Sequence, residues 1–394
     1  MKKIVILLLL AGLVTGSFAC TKISIDDNAV TDNKKDGTDD PLEAVIYTDQ
    51  EISERNYHNF AGSGSFFAQV AERMFYVECP PYSEKNICRL VEITDNGHEV
   101  IIDKKALIDI YPEGNTLHIL SREGGKNKKI KAYDYSYDLT SDTLTKTASP
   151  VKYGKDLRIS GNDRYYLEYD KKGNGKLYDN DKEFALSKES LVNCYINDDY
   201  IYCIESGISE YAIIRYDRKT AKSESILTVE SKIVKDIYGW DMRTASFDKL
   251  LIEGDYLIYL KSVGNTVLND EGKEDYRSTY ALAYRLLSNL SEEVMITNMN
   301  SEDEHSYLLD FAVFKGKVYY SRSNELVEYD LKTNTSKQLL SFGGEFEPFR
   351  RIFGIYLGFD DKLYLNTSTG LHRIDKNGEN PQVVYYYDTK YFTE

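Results

Sequence analysis

The sequence lacks the short motifs that mark common catalytic sites. Its 394 residues contain neither a Gly-x-Ser-x-Gly nucleophile elbow nor a P-loop. Only five histidines are present, and no two histidines or cysteines stand at the spacing of a metal site. The sequence therefore predicts no catalytic residue, no metal site and no cofactor. The abundant carboxylates contain no pattern that singles out an acid/base pair.

Positive charge is also in short supply. Lys and Arg number 49 against 64 Asp and Glu, which gives a formal net charge of −15. Binding to nucleic acid requires a basic surface, so this balance argues against a nucleic-acid partner. It equally argues against electrostatic adhesion to anionic lipid. We expect a solvated, acidic exterior.

Sustained helical periodicity is absent, and a strand pattern recurs in its place. The pattern is a turn residue, one variable position and an apolar–aromatic–apolar triplet. Its copies are Gly316–Tyr320, Asp361–Leu365, Asp199–Cys203, Asp163–Leu167 and Asp255–Tyr259, with weaker ones at Glu72–Tyr76 and Asn115–Ile119. Each copy predicts a turn that leads into a buried strand, and Tyr suits a strand with one buried and one wet face.

Each motif belongs to a larger unit of four strands. Around the copy at Gly316, a lead strand precedes the motif, and Leu326–Leu331 and Ser336–Leu340 follow it. The fourth motif residues are Phe75, His118, Tyr166, Tyr202, Ile258, Tyr319 and Tyr364, at intervals of between 36 and 61 residues. Four antiparallel strands at this repeat length are typical of a propeller blade. We predict an all-β chain forming a propeller of seven blades, with six or eight also compatible. The alternatives are a pair of β-sandwiches and an irregular β-solenoid.

One blade carries a family resemblance. Leu371, Arg373, Ile374, Asp375 and Gly378 form a Leu-x-Arg-Ile-Asp-x-x-Gly sequence after an aromatic strand. This resembles the blade repeats of bacterial TolB-like propellers and of the YWTD propellers of low-density-lipoprotein receptors, and it is similar to exported bacterial lipoproteins of that kind. The resemblance covers about Phe66 to Tyr387 and implies a β-propeller. The strict Tyr-Trp-Thr-Asp motif is absent, and no functional residue carries over.

The N-terminus has the features of an export signal. Lys2 and Lys3 precede the apolar run Ile4–Val14, and Ser17-Phe18-Ala19-Cys20 follows. We predict a signal peptide over residues 1–19, a lipid-modified Cys20 and an acidic, disordered tether over residues 20–43. The β-propeller domain would then span residues 44–394. The protein would be exported and lipid-anchored to the bacterial cell envelope, on its periplasmic or cell-surface side; the alternative is a freely secreted protein.

Four cysteines remain beyond Cys20, an even number in an exported chain. If residues 198–199 form a two-residue hairpin turn, Cys194 lies opposite Cys203 on a non-hydrogen-bonded pair, where a disulfide is feasible. Cys79 and Cys88 flank a Pro-Pro loop and could close it in the same way. The alternative is that all four are reduced, buried thiols.

The longest intervals between motifs indicate insertions in the fifth unit. One insertion is Asn265–Arg277, and another stretch before the unit holds Tyr238 and Trp240, the only tryptophan. Exposed aromatic residues on a loop can stack on sugars or anchor a protein. The alternative is that Trp240 packs beneath its own loop.

We therefore expect a non-enzymatic, monomeric binding or scaffolding module for an envelope protein or glycan, which contacts the membrane only through its lipid anchor. The alternative is a carbohydrate-active lyase or glycosidase that uses channel carboxylates.

Overall fold

In the computed structural model, every regular secondary-structure element is a β-strand among the residues that it describes. These are residues 66–78, 88–94, 97–105, 107–123, 131–148, 156–160, 163–169, 175–179, 182–186, 190–197, 199–235, 241–268, 272, 274–299, 310–322, 325–341, 352–358 and 360–387. They all belong to the compact unit Tyr47–Glu394. The predicted signal peptide and the predicted tether lie outside them.

The strands form seven four-stranded antiparallel sheets, each built from four strands that are consecutive in the chain. The first sheet contains β1 (Phe67–Val70), β2 (Arg73–Glu78), β3 (Cys88–Thr94) and β4 (Gly97–Lys105). The second contains β5 (Leu107–Glu113), β6 (Thr116–Glu123), β7 (Lys131–Asp138) and β8 (Thr143–Ala148). The third contains β9 (Asp156–Ser160), β10 (Asp163–Tyr169), β11 (Gly175–Asp179) and β12 (Lys182–Leu186). The fourth contains β13 (Ser190–Ile196), β14 (Tyr200–Ser206), β15 (Glu210–Asp217) and β16 (Ser223–Glu230).

A short two-stranded ribbon of β17 (Ile233–Lys235) and β18 (Asp241–Arg243) follows the fourth sheet. The fifth sheet contains β19 (Ala245–Glu253), β20 (Tyr256–Leu268), β21 (Glu274–Leu286) and β22 (Asn289–Met299). The sixth contains β23 (Phe311–Phe314), β24 (Lys317–Arg322), β25 (Glu325–Asp330) and β26 (Thr335–Ser341). The seventh contains β27 (Ile352–Leu357), β28 (Lys362–Thr367), β29 (Gly370–Asp375) and β30 (Gln382–Tyr386).

Every copy of the recurrent motif contributes its triplet to the second strand of a sheet, as the sequence predicts. The turn before the sixth-sheet copy shows why its first residue is small. Lys315 and Gly316 both have positive φ, at 49° and 75°, which is the geometry of a type I′ hairpin turn. Glycine adopts that conformation without steric cost. The triplet that follows, residues 318–320, is almost fully buried.

The sheets pack face to face around a ring. The first strands of neighbouring sheets lie side by side, as for β13 with β19, β19 with β23, β23 with β27 and β1 with β5. The free edge of each first strand therefore faces the central axis. The fold is thus an all-β propeller of four-stranded antiparallel blades, and this prediction is confirmed. The number of blades in the whole chain stays a prediction.

The first and seventh sheets pack directly against each other. Phe67 stacks on Tyr356 with ring centroids 5.3 Å apart, and the Gln69 side chain donates to the Leu357 carbonyl at 3.1 Å. The hydroxyls of Tyr76 and Tyr387 lie 3.0 Å apart. The two sheets share no strand, so side-chain contacts join them.

The predicted insertion Asn265–Arg277 is a strand extension rather than a long loop. β20 and β21 are both 13 residues long and stay paired as far as Leu268 and Glu274. The acidic residues around the turn suggested a loop because polar composition alone does not show that a hairpin continues past its sheet.

Candidate functional site

Polar side chains occupy one recurring position in, or directly before, the first strands of three successive sheets. In each of these sheets the fourth motif residue on the second strand pairs with a residue of the first strand: Tyr202 with Tyr195, Ile258 with Leu251, and Tyr319 with Ala312. The polar residue comes two positions before that partner in the chain. The position is filled by Asn193, Lys249 and Asp310. Each of these side chains forms a hydrogen bond with the backbone of the first strand in the following sheet. The residue contacted there comes one position after the equivalent of the polar residue. We call these contacts the inner-strand relay.

The relay satisfies backbone groups that the free strand edges leave unpaired. Asn193 Oδ1 accepts from the Leu250 amide at 3.1 Å, Lys249 Nζ donates to the Phe311 carbonyl, and Asp310 Oδ2 accepts from the Ile355 amide at 2.9 Å. A buried, unpaired backbone group costs free energy, so these side chains stabilise the contact between sheets.

A buried ion pair stands at the centre of the relay. Lys249 Nζ also donates to Asp310 Oδ1, and both side chains are less than one-tenth exposed. Burial lowers the pKa of Lys249, and the Asp310 carboxylate opposes that shift. Since a lone buried charge is strongly unfavourable, the pair depends on both partners.

Asp248 is the extra residue of a β-bulge on β19, where the pairing shifts between Phe247 and Lys249. Bulges redirect a side chain out of the regular alternation and recur beside functional sites. The Ser246 hydroxyl donates to Asp248 Oδ1 at 2.8 Å and lies 2.7 Å from the Ser262 hydroxyl. These three residues form the acceptor trio.

The Asp248 side chain is exposed, although both of its neighbours in the chain, Phe247 and Lys249, are buried. An accessible side chain in the middle of a first strand lies on the open edge of that strand, which faces the central channel. Nearby protein still restricts the hydration of the carboxyl: desolvation raises its pKa, and the hydrogen bond from Ser246 opposes that shift.

A second candidate region projects from the fourth and fifth sheets, and we call it the paired ribbons. It comprises the β17–β18 ribbon and the ends of β20 and β21 that extend past their sheet. Gly264 N donates to the Thr244 carbonyl at 2.6 Å, and the Tyr276 hydroxyl donates to the Arg243 carbonyl. Tyr276 lies directly over Gly264, where an added Cβ would come within 1.3 Å of its hydroxyl oxygen.

Large apolar side chains are exposed on and beside the paired ribbons. They are Ile208, Ile233 and Leu268, at 74%, 52% and 71% exposure. Arg243, at the end of β18, donates a hydrogen bond of 2.5 Å to the carbonyl of Ile208, which lies between β14 and β15. Ile208 and Ile233 both lie at Arg243, the first through this hydrogen bond and the second as its strand partner. Exposed apolar residues that lie together often mark interaction surfaces.

The predicted contact residues Tyr238 and Trp240 belong to the segment between β17 and β18 and lie outside the described residues. The predicted lipidation site Cys20 and the predicted disulfide partner Cys79 also lie outside them. Cys88, buried at the start of β3, is disulfide-bonded.

The predicted Cys194–Cys203 bridge is corrected by the structure, in which the two cysteines are buried and are not joined by a disulfide. The predicted register is present: the two cysteines are direct partners on β13 and β14, and Asn197 N donates to the Tyr200 carbonyl beside the turn. Facing positions bring two thiols together, but a bridge also needs side-chain torsions that a regular ladder does not impose.

His118 packs within its own sheet. Its ring stacks on Tyr111 with centroids 4.9 Å apart, and its nitrogens lie 3.2 Å from Asp134 and 3.4 Å from Glu113. Within the described ranges, no group of three or more His, Cys, Asp or Glu residues is placed to hold a metal ion. The same residues include no helix long and apolar enough to cross a membrane.

Sequence reasoning missed both the inner-strand relay and the acceptor trio. A signal was present: Asp248 and Lys249 interrupt an otherwise apolar strand, and Asp310 stands directly before another. A charged residue inside a buried strand indicates an internal partner, although the sequence does not say which one.

Comparison with known proteins supports the fold. No family model and no curated protein sequence matches the chain. A solved prolyl endopeptidase is similar at 12% identity and a TM-score of 0.51, over 85% of this chain and 51% of that one. The chain thus spans about half the length of that enzyme.

Two further solved structures have lower scores. The β-propeller domain of the trilobed protease from Pyrococcus furiosus is 11% identical over 72% of this chain and 96% of its own, with a TM-score of 0.33. An uncharacterised protein from Listeria monocytogenes is 9% identical over 83% and 97%, with a TM-score of 0.43. At such identities a likeness bears on the fold alone. The class of protein, a β-propeller, rests on the four-stranded sheets and their packing described above.

Proposed function

We propose that this protein is a non-enzymatic binding or scaffolding module of the bacterial cell envelope, anchored by a lipid on Cys20. Its partner would be an envelope protein or a glycan. The observation that carries the proposal is the paired ribbons, which extend past the four-stranded sheets and expose apolar side chains. Tyr238 and Trp240 stand between β17 and β18 in the sequence. The N-terminal sequence supports the export and anchoring parts.

The geometry of the paired ribbons favours a contact surface that keeps its shape. Tyr276 and Gly264 hold the extended hairpin against β18, so the ribbons present their exposed residues as one unit. A surface ordered before binding loses less conformational entropy when a partner docks.

A second candidate, a carbohydrate-active enzyme that uses channel carboxylates, has one observation in its favour. Asp248 is exposed on a first strand and its pKa is raised, as expected of a general acid. Glycoside hydrolysis requires two carboxyl groups about 5–10 Å apart. Only burial and Ser246 contribute to the Asp248 shift, so a single carboxyl supports binding better than catalysis.

The test is capture of partners from envelope extract by the tagged full-length protein, compared with the Tyr238→Ala/Trp240→Ala variant. We expect a specific protein or glycan that the wild type retains and the variant loses. Equal retention by both would reject these aromatic residues as the contact. An empty capture by a protein shown to be folded would favour the enzyme, to be tested on polysaccharide substrates.

A further inference from the structure

The acceptor trio has a defined hydrogen-bonding polarity. Ser246 has one hydroxyl proton, and it donates that proton to Asp248 Oδ1. The contact of 2.7 Å between the two serines must therefore be a donation from Ser262 to Ser246. Both hydroxyl protons are thus committed inside the trio. Asp248 Oδ2 and the lone pairs of Ser262 Oγ are left to accept hydrogen bonds from a ligand.

The protein's own nearby cations are engaged elsewhere. Lys249, next to Asp248 in the chain, is held by Asp310 and the Phe311 carbonyl. Lys261, next to Ser262, donates to Glu293 Oε1 at 2.6 Å. Among the described residues the Asp248 carboxylate therefore has no countercharge, and desolvation raises its pKa. Carboxyl groups with perturbed pKa values of this kind concentrate at functional sites.

The chemistry of the trio selects the class of ligand. One carboxylate and two hydroxyls offer too few oxygens for Ca²⁺, which takes six to eight. An anion would be repelled, and a neutral hydroxyl would leave the charge uncompensated. A guanidinium prefers a bidentate contact with two carboxylate oxygens, and the hydrogen bond from Ser246 takes one acceptor position of Oδ1, which disfavours that contact. An ammonium group is a compact point charge with three donors, and it can donate separately to a single carboxylate oxygen and to hydroxyl oxygens.

We propose that the acceptor trio is a binding site for a primary ammonium group, such as a lysine side chain or the N-terminus of a partner protein, that enters the central channel. The proposal rests on the proposed binding function and names the chemistry that its partner presents to the channel wall.

The probe is a fluorescein-labelled, end-blocked peptide with a single lysine among glycines and serines. Its binding to the full-length protein in mild detergent is followed by fluorescence anisotropy. About 0.1 M salt limits long-range attraction to the acidic protein, because the Debye length is then about 10 Å. An acetyl-lysine peptide removes the charge, and an arginine peptide tests the preference for ammonium.

Asp248→Asn keeps the shape and removes the charge, so we expect it to weaken lysine-peptide binding roughly ten- to a hundredfold, as for loss of a hydrogen bond to a charged group. Ser262→Ala should weaken binding less. Glu99→Gln, an exposed change on the outer strand β4, removes the same charge and should leave affinity unchanged. The acetyl-lysine peptide should not bind, and the arginine peptide should bind more weakly than the lysine peptide.

Three results would overturn the proposal: no saturable binding to the folded wild type, unchanged affinity in Asp248→Asn, or an equal loss in Glu99→Gln. Circular dichroism confirms that each variant is folded. If the partner capture described above succeeds while the lysine peptide fails to bind, only the ammonium site is rejected. If the capture fails while the peptide binds, the proposed envelope function is rejected and the site remains.

Discussion

Asp248 and Lys249 are neighbours in the chain with opposite electrostatic surroundings. The Lys249 charge is buried and compensated by Asp310, whereas the Asp248 carboxyl is exposed and is stabilised in its charged form only by a hydrogen bond from the Ser246 hydroxyl. The bulge on β19 produces this contrast, because it places two consecutive side chains outside the usual alternation of a strand. Lys249 therefore joins two sheets, while Asp248 carries an unfavourable charge that a ligand could offset.

The raised pKa of Asp248 predicts a stability difference that depends on pH. A carboxyl whose pKa is raised by folding destabilises the folded state when ionised, so Asp248→Asn should raise the thermal midpoint at pH 7. As pH falls through the raised folded-state pKa, the wild-type carboxyl becomes neutral and the advantage of the variant should disappear. Thermal unfolding of both proteins at pH 7 and near pH 4 checks this. A lower midpoint for the variant at pH 7 would contradict it.

Among the elements, the paired ribbons depend on a glycine for their contact. Gly264 leaves room for the Tyr276 ring, and Tyr276 in turn reaches the Arg243 carbonyl on β18. The β17–β18 ribbon has no other sheet to join, so its order depends on such contacts. Short two-stranded ribbons are marginally stable in isolation.

Gly264→Ala should separate the ribbons without unfolding the ring, because the new Cβ displaces the Tyr276 side chain. Hydrogen exchange should rise in peptides that cover β17, β18 and the end of β20, while the sixth sheet stays protected. Tyr276→Phe keeps the ring over Gly264 and removes one hydrogen bond, so it should give a smaller rise. Equal protection in Gly264→Ala and wild type would contradict the account.

At the scale of the whole molecule, the ring depends on how its first and last sheets meet. No described strand crosses between them. A chain of buried polar groups joins them instead: Tyr76 lies 3.0 Å from the Tyr387 hydroxyl, which donates to Asn366 Oδ1 at 2.5 Å. Burial raises the pKa of the Tyr76 hydroxyl, so it stays neutral and able to donate.

Tyr387→Phe should destabilise the domain by about 1–3 kcal/mol, because it leaves the Tyr76 hydroxyl and the Asn366 oxygen buried without this partner. The free energy of unfolding in urea measures the effect. Tyr386→Phe is the matched control, since Tyr386 is mostly exposed and its hydroxyl keeps access to water. Equal stability of the Tyr387 variant and the control would show that the seam does not depend on this contact.

The sequence was most informative where one physical rule decides the outcome. The motif strands follow from buried apolar triplets, and their turns follow from residues that tolerate positive φ, such as Gly316 and Asp361. The bulge at Asp248 was not predictable, because a bulge depends on the pairing of two strands. The Lys249–Asp310 pair joins residues 61 positions apart, and no local pattern reports such a contact. The ends of β20 and β21 looked like a loop because their residues are polar.

Because no described strand is shared between two sheets, the order in which the chain connects the sheets could be changed. Each described sheet is complete within one continuous stretch of chain, so no single junction between sheets is topologically special. A circular permutant opened between any two sheets and joined across the Phe67–Tyr356 seam would keep every within-sheet ladder. The order of the sheets could not be shuffled so freely. The inner-strand relay holds the fourth to seventh sheets in chain order, because Asn193, Lys249 and Asp310 each contact the backbone of the sheet that follows. Exchanging these sheets would break those contacts.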